Sequence, residues 1–240
     1  MKRRILLSWS GGKDSAWALH LLRRAAEVDI VGLLTTFNQH FDRVAMHAVR
    51  RELIELQAAA VGVPLWPMPL PWPCSNADYE CAMRAAIEKA KAAGVEAVAF
   101  GDLFLEDIRR YREQQLAGTG LEPLFPVWGL PTAALAREMV ASGLRARLTC
   151  VDPKQLDRRF AGRDFSPELL AELPANVDPC GERGEFHTFV FQGPMLGVPI
   201  AIEAGTIEER DGFVFADVLP ARSGARGSAS ASTRRRAQTR

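Results

Sequence analysis

Short apolar runs alternate with longer amphipathic stretches over the first half of the chain. The apolar runs predict buried strands at residues 5–7, 30–36, 63–70 and 95–100. Between them, apolar residues recur with the spacing of one helix face, which predicts helices at residues 16–27, 43–60 and 77–93. Strands that alternate with helices at this spacing are typical of a parallel, doubly wound α/β sheet.

The pattern changes after residue 118, where prolines separate shorter elements. Strands are predicted at residues 124–125, 144–151, 189–191, 200–202 and 213–218. Residues 132–141 are predicted to form a helix, and Ser166 with Pro167 opens a shorter one. We therefore expect a doubly wound sheet followed by a smaller α+β region, with the folded part ending near Pro220.

A glycine turn separates the first predicted strand from the first predicted helix. It consists of Ser10, Gly11, Gly12, Lys13, Asp14 and Ser15. Adjacent glycines allow close backbone approaches, and their amides together with a helix start form an anion site. Lys13 adds positive charge, so the turn is predicted to hold phosphate, with Lys13 and Asp14 on a solvent-facing rim. The spacing S-G-G-x-D-S is the pyrophosphate-loop signature of ATP pyrophosphatases, which split ATP between its α and β phosphates.

Two other strand ends carry candidate ligand contacts. Gly101 and Asp102 directly follow the fourth predicted strand. If that strand neighbours the first one, Gly101 lies beside the glycine turn and Asp102 is placed to help hold the Mg²⁺ of bound ATP. The alternative is that Asp102 caps the following helix. The backbone near Thr35, at the end of the second strand, is a predicted adenine contact.

Composition excludes several classes of protein. Hydrophobic residues make up 48% of the chain and charged residues 25%, as in ordinary globular domains. We expect no membrane span and no export signal, so the four scattered cysteines are expected to be reduced in the cytoplasm. Residues 221–240 contain six arginines and no acid, which leaves the other residues with 24 basic against 29 acidic side chains. The net negative body argues against nucleic acid as a partner, and the tail is predicted to be disordered.

Three segments together resemble the diphthine–ammonia ligase family. They are the glycine turn, residues 101–112 and residues 181–188. The resemblance covers about residues 3–219 and implies a nucleotide-binding domain of the HUP type at residues 1–130. It also implies a substrate-recognition region at residues 131–220, before the tail at 221–240. The implied reaction is ATP-dependent amidation of a carboxylate through an acyl-adenylate, with ammonia or an amine as donor and AMP and pyrophosphate released.

The resemblance also implies roles for the third segment. Glu182, Glu185 and His187 would line the acceptor side, together with Cys180, and His187 would take a proton from the attacking amine. Lys13 and Asp14 would act catalytically at the phosphates. The alternative is a hydrogen-bonded loop that only orders the second region, and Cys180 is expected to be structural rather than nucleophilic.

This chain departs from the family pattern in the third segment. Family members that act on elongation factor 2 have the run E-G-G-E-[YF]-E-T, whereas Arg183 here replaces a glycine and His187 replaces a carboxylate. The variant resembles the bacterial branch, so the ATP chemistry carries over but the acceptor does not. We expect an unidentified acceptor that bears a carboxylate, and we leave open whether the chain forms a homodimer.

Two other classes of function stay open at this point. Related pyrophosphate loops activate RNA bases for thiolation or amination, although the chain lacks the paired cysteines that would carry sulfur. HUP folds also serve as non-catalytic nucleotide-binding proteins, although Lys13, Asp14 and Ser15 together favour catalysis.

Overall fold

The structure is a computed structural model that describes residues 2–44 and 48–221. The first sheet contains β1 (Arg3–Ser8), β2 (Val28–Asn38), β3 (Arg43–Val44), β4 (Leu65–Leu70), β5 (Ala97–Ala99) and β6 (Glu122–Leu124). Its parallel strands lie in the order β4-β2-β1-β5-β6, and β3 pairs antiparallel with the end of β2. This order confirms the doubly wound sheet, with β1 and β5 adjacent at the point where the strand order reverses.

Helices cover both faces of this sheet. They are α1 (Lys13–Ala25), α2 (Arg51–Val61), α3 (Asn76–Ala92) and α4 (Glu106–Leu116). Ser75 caps α3 in a capping box with Asp78. None of the described helices is both long and apolar enough to cross a membrane.

The second sheet is antiparallel. It contains β7 (Arg145–Val151), β8 (Phe186–Gln192), β9 (Ile202–Arg210) and β10 (Phe213–Pro220), in the order β8-β7-β10-β9. Two helices, α5 (Thr132–Ala141) and α6 (Pro167–Glu172), accompany it, together with a 3₁₀ turn at Arg158–Phe160. Ser166 caps α6 as predicted, and β10 ends at Pro220.

Three element predictions are wrong in part. The helix predicted at 43–60 begins only at Arg51, because Arg43 lies in β3 and its guanidinium binds Asp217 of β10. Part of this prediction, residues 45–47, lies outside the described residues. The strand predicted at 200–202 is replaced by β9, whose many polar side chains give no apolar signal and whose pairing with β10 holds it. Strand β8 starts three residues before the predicted 189.

One continuous core joins the two sheets. Buried residues of β1 and α1, such as Ile5 and Trp17, belong to the same cluster as Leu148 of β7 and Phe189 of β8. The predicted boundary between two regions at residue 130 stays a prediction. The buried core runs continuously across this position and marks no boundary there. The predicted disordered tail falls almost wholly on residues 222–240, which lie outside the described residues.

Gln57 links the parts of this core through its amide. The residue has no exposed surface, and its Oε1 accepts a hydrogen bond from Trp9 Nε1 at 2.9 Å. Its Nε2 donates to the carbonyls of Gly11, at 3.0 Å, and Val190, at 2.6 Å. A polar side chain in the middle of an apolar helix face thereby fixes the glycine turn against both sheets.

We predict that Gln57→Leu lowers the free energy of unfolding by about 3 kcal/mol, because it leaves buried polar groups without partners. Urea denaturation measures the change. Glu55→Leu, on the exposed face of the same helix, is the control and should change stability by less than about 0.5 kcal/mol. Equal effects of the two substitutions would contradict the role given to Gln57.

Candidate active site

The glycine turn adopts the conformation that its sequence predicts. Gly11 has φ +79°, and a Cβ there would lie 2.6 Å from Ile54 Cδ1. Gly12 caps α1, and its N–H donates to Ser10 Oγ at 3.2 Å. Ser15 Oγ donates to the Gly12 carbonyl at 3.0 Å. The turn is therefore closed by its own hydroxyl groups, with the amino end of α1 at its tip.

Strand β8 binds the same turn from the second sheet. Val190 N donates to the Gly11 carbonyl at 2.9 Å, and Lys13 N donates to Thr188 Oγ1 at 3.1 Å. Thr188 is buried, and a Cβ on Gly12 would lie 3.2 Å from its carbonyl oxygen. Sequence reasoning missed these contacts, because nothing in the local pattern links two segments so far apart in the chain.

The expectation that Lys13 lies on a solvent-facing rim is wrong. Its side chain is 2% exposed, and its ammonium donates to Asp14 Oδ2 at 2.9 Å and to the carbonyl of Cys180. The rings of Phe165 and Phe186 flank the ammonium at 5.8 and 5.3 Å. Burial lowers the pKa of Lys13, but the Asp14 carboxylate outweighs burial and the pKa is raised overall. Lys13 is therefore a buried cation at neutral pH.

Asp14 keeps one oxygen unpaired. Its Oδ1 is buried and has no hydrogen-bond partner among the described residues. Burial raises the pKa of this carboxyl, and the adjacent Lys13 only partly offsets the effect. A buried polar atom of this kind is satisfied when a ligand binds.

Gly101 and Asp102 lie beside the glycine turn, as expected from the pairing of β5 with β1. A Cβ on Gly101 would lie 2.9 Å from Ser15 N, so the two backbones pack directly. Asp102 does not cap the following helix, since the residue at the amino end of α4 is Leu105. Its carboxylate instead faces Arg112, with Oδ2 3.5 Å from Nε.

The metal role of Asp102 stays a prediction. The described residues contain no cluster of three or more His, Cys, Asp or Glu side chains that could hold a metal ion. The donor chemistry nevertheless fits Mg²⁺, which takes one or two carboxylates together with the oxygens of a bound phosphate. Asp14 Oδ1 and Asp102 Oδ2 are both buried and have no hydrogen-bond partner among the described residues.

The segment at 178–188 folds around buried carboxylates. Asp178 Oδ1 accepts from the N–H groups of Cys180 and Glu182, at 2.9 and 3.3 Å. Glu185 is 1% exposed and accepts from the N–H groups of Asp178 and Arg183, both at 2.9 Å. These contacts favour the alternative for Glu185, in which the carboxylate orders the loop.

Cys180 and Glu182 connect this loop to the first sheet. Glu182 Oε1 accepts from Leu103 N at 2.7 Å, just beyond Asp102, and burial raises its pKa to about 7. The Cys180 thiol is buried and donates to the Thr132 carbonyl at 3.5 Å. Burial raises its pKa far above neutral, which favours the structural role, since a nucleophile needs the thiolate.

The two remaining candidates differ in their surroundings. His187 follows Phe186 and precedes Thr188 in β8, so strand alternation places it on the opposite face of that sheet. It is half-buried, and burial lowers its pKa to about 4, which leaves the imidazole neutral at pH 7. Thr35 is buried, and its hydroxyl donates to the Trp9 carbonyl at 2.7 Å, which joins the ends of β1 and β2.

A cavity of about 520 Å³ opens beside the glycine turn, between the first sheet and helices α3 and α4. Ser10, Thr36 and Phe100 line it near the ends of β1, β2 and β5. Tyr79 of α3 and Arg112 of α4 line its other side. Its size is that of ordinary small-molecule sites, and it extends over the sheet to the carboxyl ends of the strands, where ligands bind in such folds. Sequence analysis did not predict it.

This combination of sheet, glycine turn and adjoining cavity defines a HUP-like protein with the pyrophosphate loop of ATP pyrophosphatases. Residues 1–123 match the family model of the diphthamide synthase N-terminal domain, and residues 131–217 match that of the diphthamide synthase C-terminal domain. The chain belongs to the diphthamide synthase family, as its three motifs indicate, and the expected class of ATP-dependent carbon–nitrogen ligase is confirmed.

Two curated relatives match this chain over most of their own length. A diphthine–ammonia ligase of Danio rerio is 29% identical over 218 residues, which cover 81% of this chain and 84% of the relative. A diphthine–ammonia ligase of Homo sapiens is 26% identical over 231 residues, covering 87% and 86%. The similarity thus runs through both sheets.

We predict that the raised pKa of Glu182 makes stability depend on pH. The folded carboxyl holds its proton up to about pH 7, whereas the unfolded one ionises near 4.5, so ionisation destabilises the fold as pH rises between these values. Glu182→Gln keeps the acceptor for Leu103 N but cannot ionise. In urea denaturation, the wild-type protein should lose stability relative to this variant across that window. Parallel pH profiles would contradict the prediction.

Proposed function

We propose that the protein adenylates a carboxylate with ATP and then transfers ammonia or an amine to the activated acyl group, releasing AMP and pyrophosphate. The observation that carries this proposal is the convergence of three segments on one buried pair. The glycine turn supplies Lys13 and Asp14, the end of β5 supplies Asp102, and the loop at 178–188 covers them.

The cavity and the turn suggest how ATP binds. The adenosine would occupy the cavity over the first sheet, with Ser10 at its phosphate end. The pyrophosphate part would lie at the amino end of α1, where helix amides favour negative charge. Mg²⁺ would be held by phosphate oxygens with Asp14 and Asp102, and it would neutralise charge on the departing pyrophosphate.

The reaction has two steps. A carboxylate oxygen of the acceptor attacks the α-phosphorus, and the bond to the bridging oxygen of pyrophosphate breaks. The nitrogen of ammonia or an amine then attacks the acyl carbon, AMP leaves, and a base takes the proton from nitrogen. His187, with a pKa of about 4, is a weak base, whereas Glu182, with a pKa of about 7, is better matched to neutral pH.

The acceptor is proposed to differ from that of the curated relatives, which are named diphthine–ammonia ligases. Arg183 stands where the family run has a glycine, and its side chain is 56% exposed beside the loop. Its guanidinium lies 5.3 Å from the centre of the Phe104 ring, next to the end of β5. An added positive charge at this place disfavours a cationic acceptor, so we propose a less cationic carboxylate.

We predict that ATP turnover yields AMP and pyrophosphate, and that Asp14→Asn lowers the rate at least about 100-fold, because a carboxylate that would hold Mg²⁺ at the phosphates is lost. Chromatography of labelled nucleotide products measures both. Asp14→Asn also removes one partner of the buried Lys13–Asp14 ion pair, which costs about 3 kcal/mol of stability, so urea denaturation first checks that the variant is folded. ADP as the main product would overturn the proposed function.

We predict that His187→Ala leaves ATP affinity nearly unchanged, because His187 lies off the face of β8 that binds the glycine turn. The substitution should remove the stimulation of AMP release by the acceptor, because His187 is proposed to line the acceptor side. Calorimetric titration and a product assay measure the two effects. Glu185→Ala is the comparison and should also lower thermal stability, since it frees two buried amides. A tenfold loss of ATP affinity in His187→Ala, about 1.4 kcal/mol, would place His187 at the nucleotide instead.

A further inference from the structure

The cavity beside the glycine turn contains one charged side chain among the described residues that line it, namely Arg112. Lys13, the cation within the phosphate-binding turn, points away from this cavity toward Cys180 and the second sheet. A nucleotide in the cavity would therefore contact the positive charge of Arg112, on α4, rather than that of Lys13 in the turn.

Arg112 is held in place by an aromatic ring and a carboxylate. Its guanidinium lies 5.1 Å from the centre of the Phe100 ring, and its side chain is 27% exposed. Its Nε lies 3.5 Å from Asp102 Oδ2, yet neither atom has a hydrogen-bond partner among the described residues. The two groups form an ion pair at a distance that is long for a hydrogen bond, so both atoms retain capacity to bind a ligand.

The position of Arg112 fits one part of the nucleotide. Ser10 connects the cavity to the turn where the pyrophosphate would bind, so the phosphate attached to the adenosine lies between the cavity and the turn. Arginine binds phosphate with two parallel N–H groups, and stacking on Phe100 fixes the plane of those groups. Asp102, next to the turn, orients the guanidinium from its other side.

We propose that Arg112 binds the α-phosphate of the nucleotide and retains the adenylate after pyrophosphate has left. This inference rests on the proposed function, because it assumes that an adenine nucleotide occupies the cavity. It adds a second cation to that of the glycine turn, and this cation stays with the AMP group through both steps of the reaction.

The experiment compares AMP with adenosine, which differ by the α-phosphate alone. Dissociation constants are measured by calorimetry for the full chain and for Arg112→Met. We expect at least a tenfold loss of AMP affinity and less than a twofold change for adenosine. Arg109→Met is the matched control on the same helix, because Arg109 pairs with Glu113 and does not line the cavity. It should leave both affinities within twofold.

Arg112→Lys covers the case in which Arg112→Met does not fold. It keeps the charge but loses the planar pair of donors, so AMP affinity should fall about threefold with adenosine unchanged. An equal loss for AMP and adenosine, or no loss for either, would overturn the inference, as would a wild-type protein that binds the two equally. If Arg112 discriminates AMP from adenosine but turnover yields ADP, the contact of Arg112 with the α-phosphate stands, whereas the retention of an adenylate fails together with the proposed function.

Discussion

Strand β8 holds the glycine turn at two of its backbone groups, across a separation of 175 residues in sequence between Lys13 and Thr188. The Gly11 carbonyl accepts a hydrogen bond from Val190 N, and the side-chain amide of Gln57 donates to the carbonyls of both Gly11 and Val190. The conformation of the glycine turn therefore depends on the second sheet as well as on the turn's own hydroxyl groups. Any shift of β8 moves the Lys13 amide that Thr188 binds, so the two sheets are coupled at the glycine turn.

The buried charges between the sheets depend on that contact. Taking the Lys13 ammonium out of water is costly, and it is tolerated because the Asp14 carboxylate and the Cys180 carbonyl surround it. The loop that supplies this carbonyl is itself built on the carboxylates of Asp178 and Glu185. Asp178 and Glu185, which the sequence presents among candidate reactive groups, therefore stabilise the loop. Asp14, Asp102 and Glu182 are left as the acidic groups nearest the proposed chemistry.

Local rules account for what the sequence could predict. The parallel sheet, the capping box at Ser75 and the turn at Gly11 follow from short-range patterns, and the place of Asp102 follows from strand order. The burial of Lys13 could not be predicted, because it results from a loop far along the chain that closes over it. Long-range pairing likewise decides β9, whose side chains are mostly polar.

Gln57 was visible in principle, since a polar residue among Leu53, Ile54 and Ala58 interrupts an apolar helix face. Its partners were not visible, because two of them belong to the turn and to β8. The cavity exists because α3 packs on the sheet through few residues, and only Ile87 and Ala90 of that helix are buried. Such a space depends on how far a helix stands from its sheet, which no residue pattern specifies.

The four cysteines divide into two kinds of site. Cys150 and Cys180 are buried, and burial raises the pKa of the Cys150 thiol to about 12, so neither is a target for alkylating reagents at neutral pH. Cys74 and Cys81 are exposed, and only Cys74 belongs to the cavity wall. The native protein thus carries its own chemical reporter: the labelling rate of Cys74 relative to Cys81 follows occupancy of the cavity without any substitution in the site.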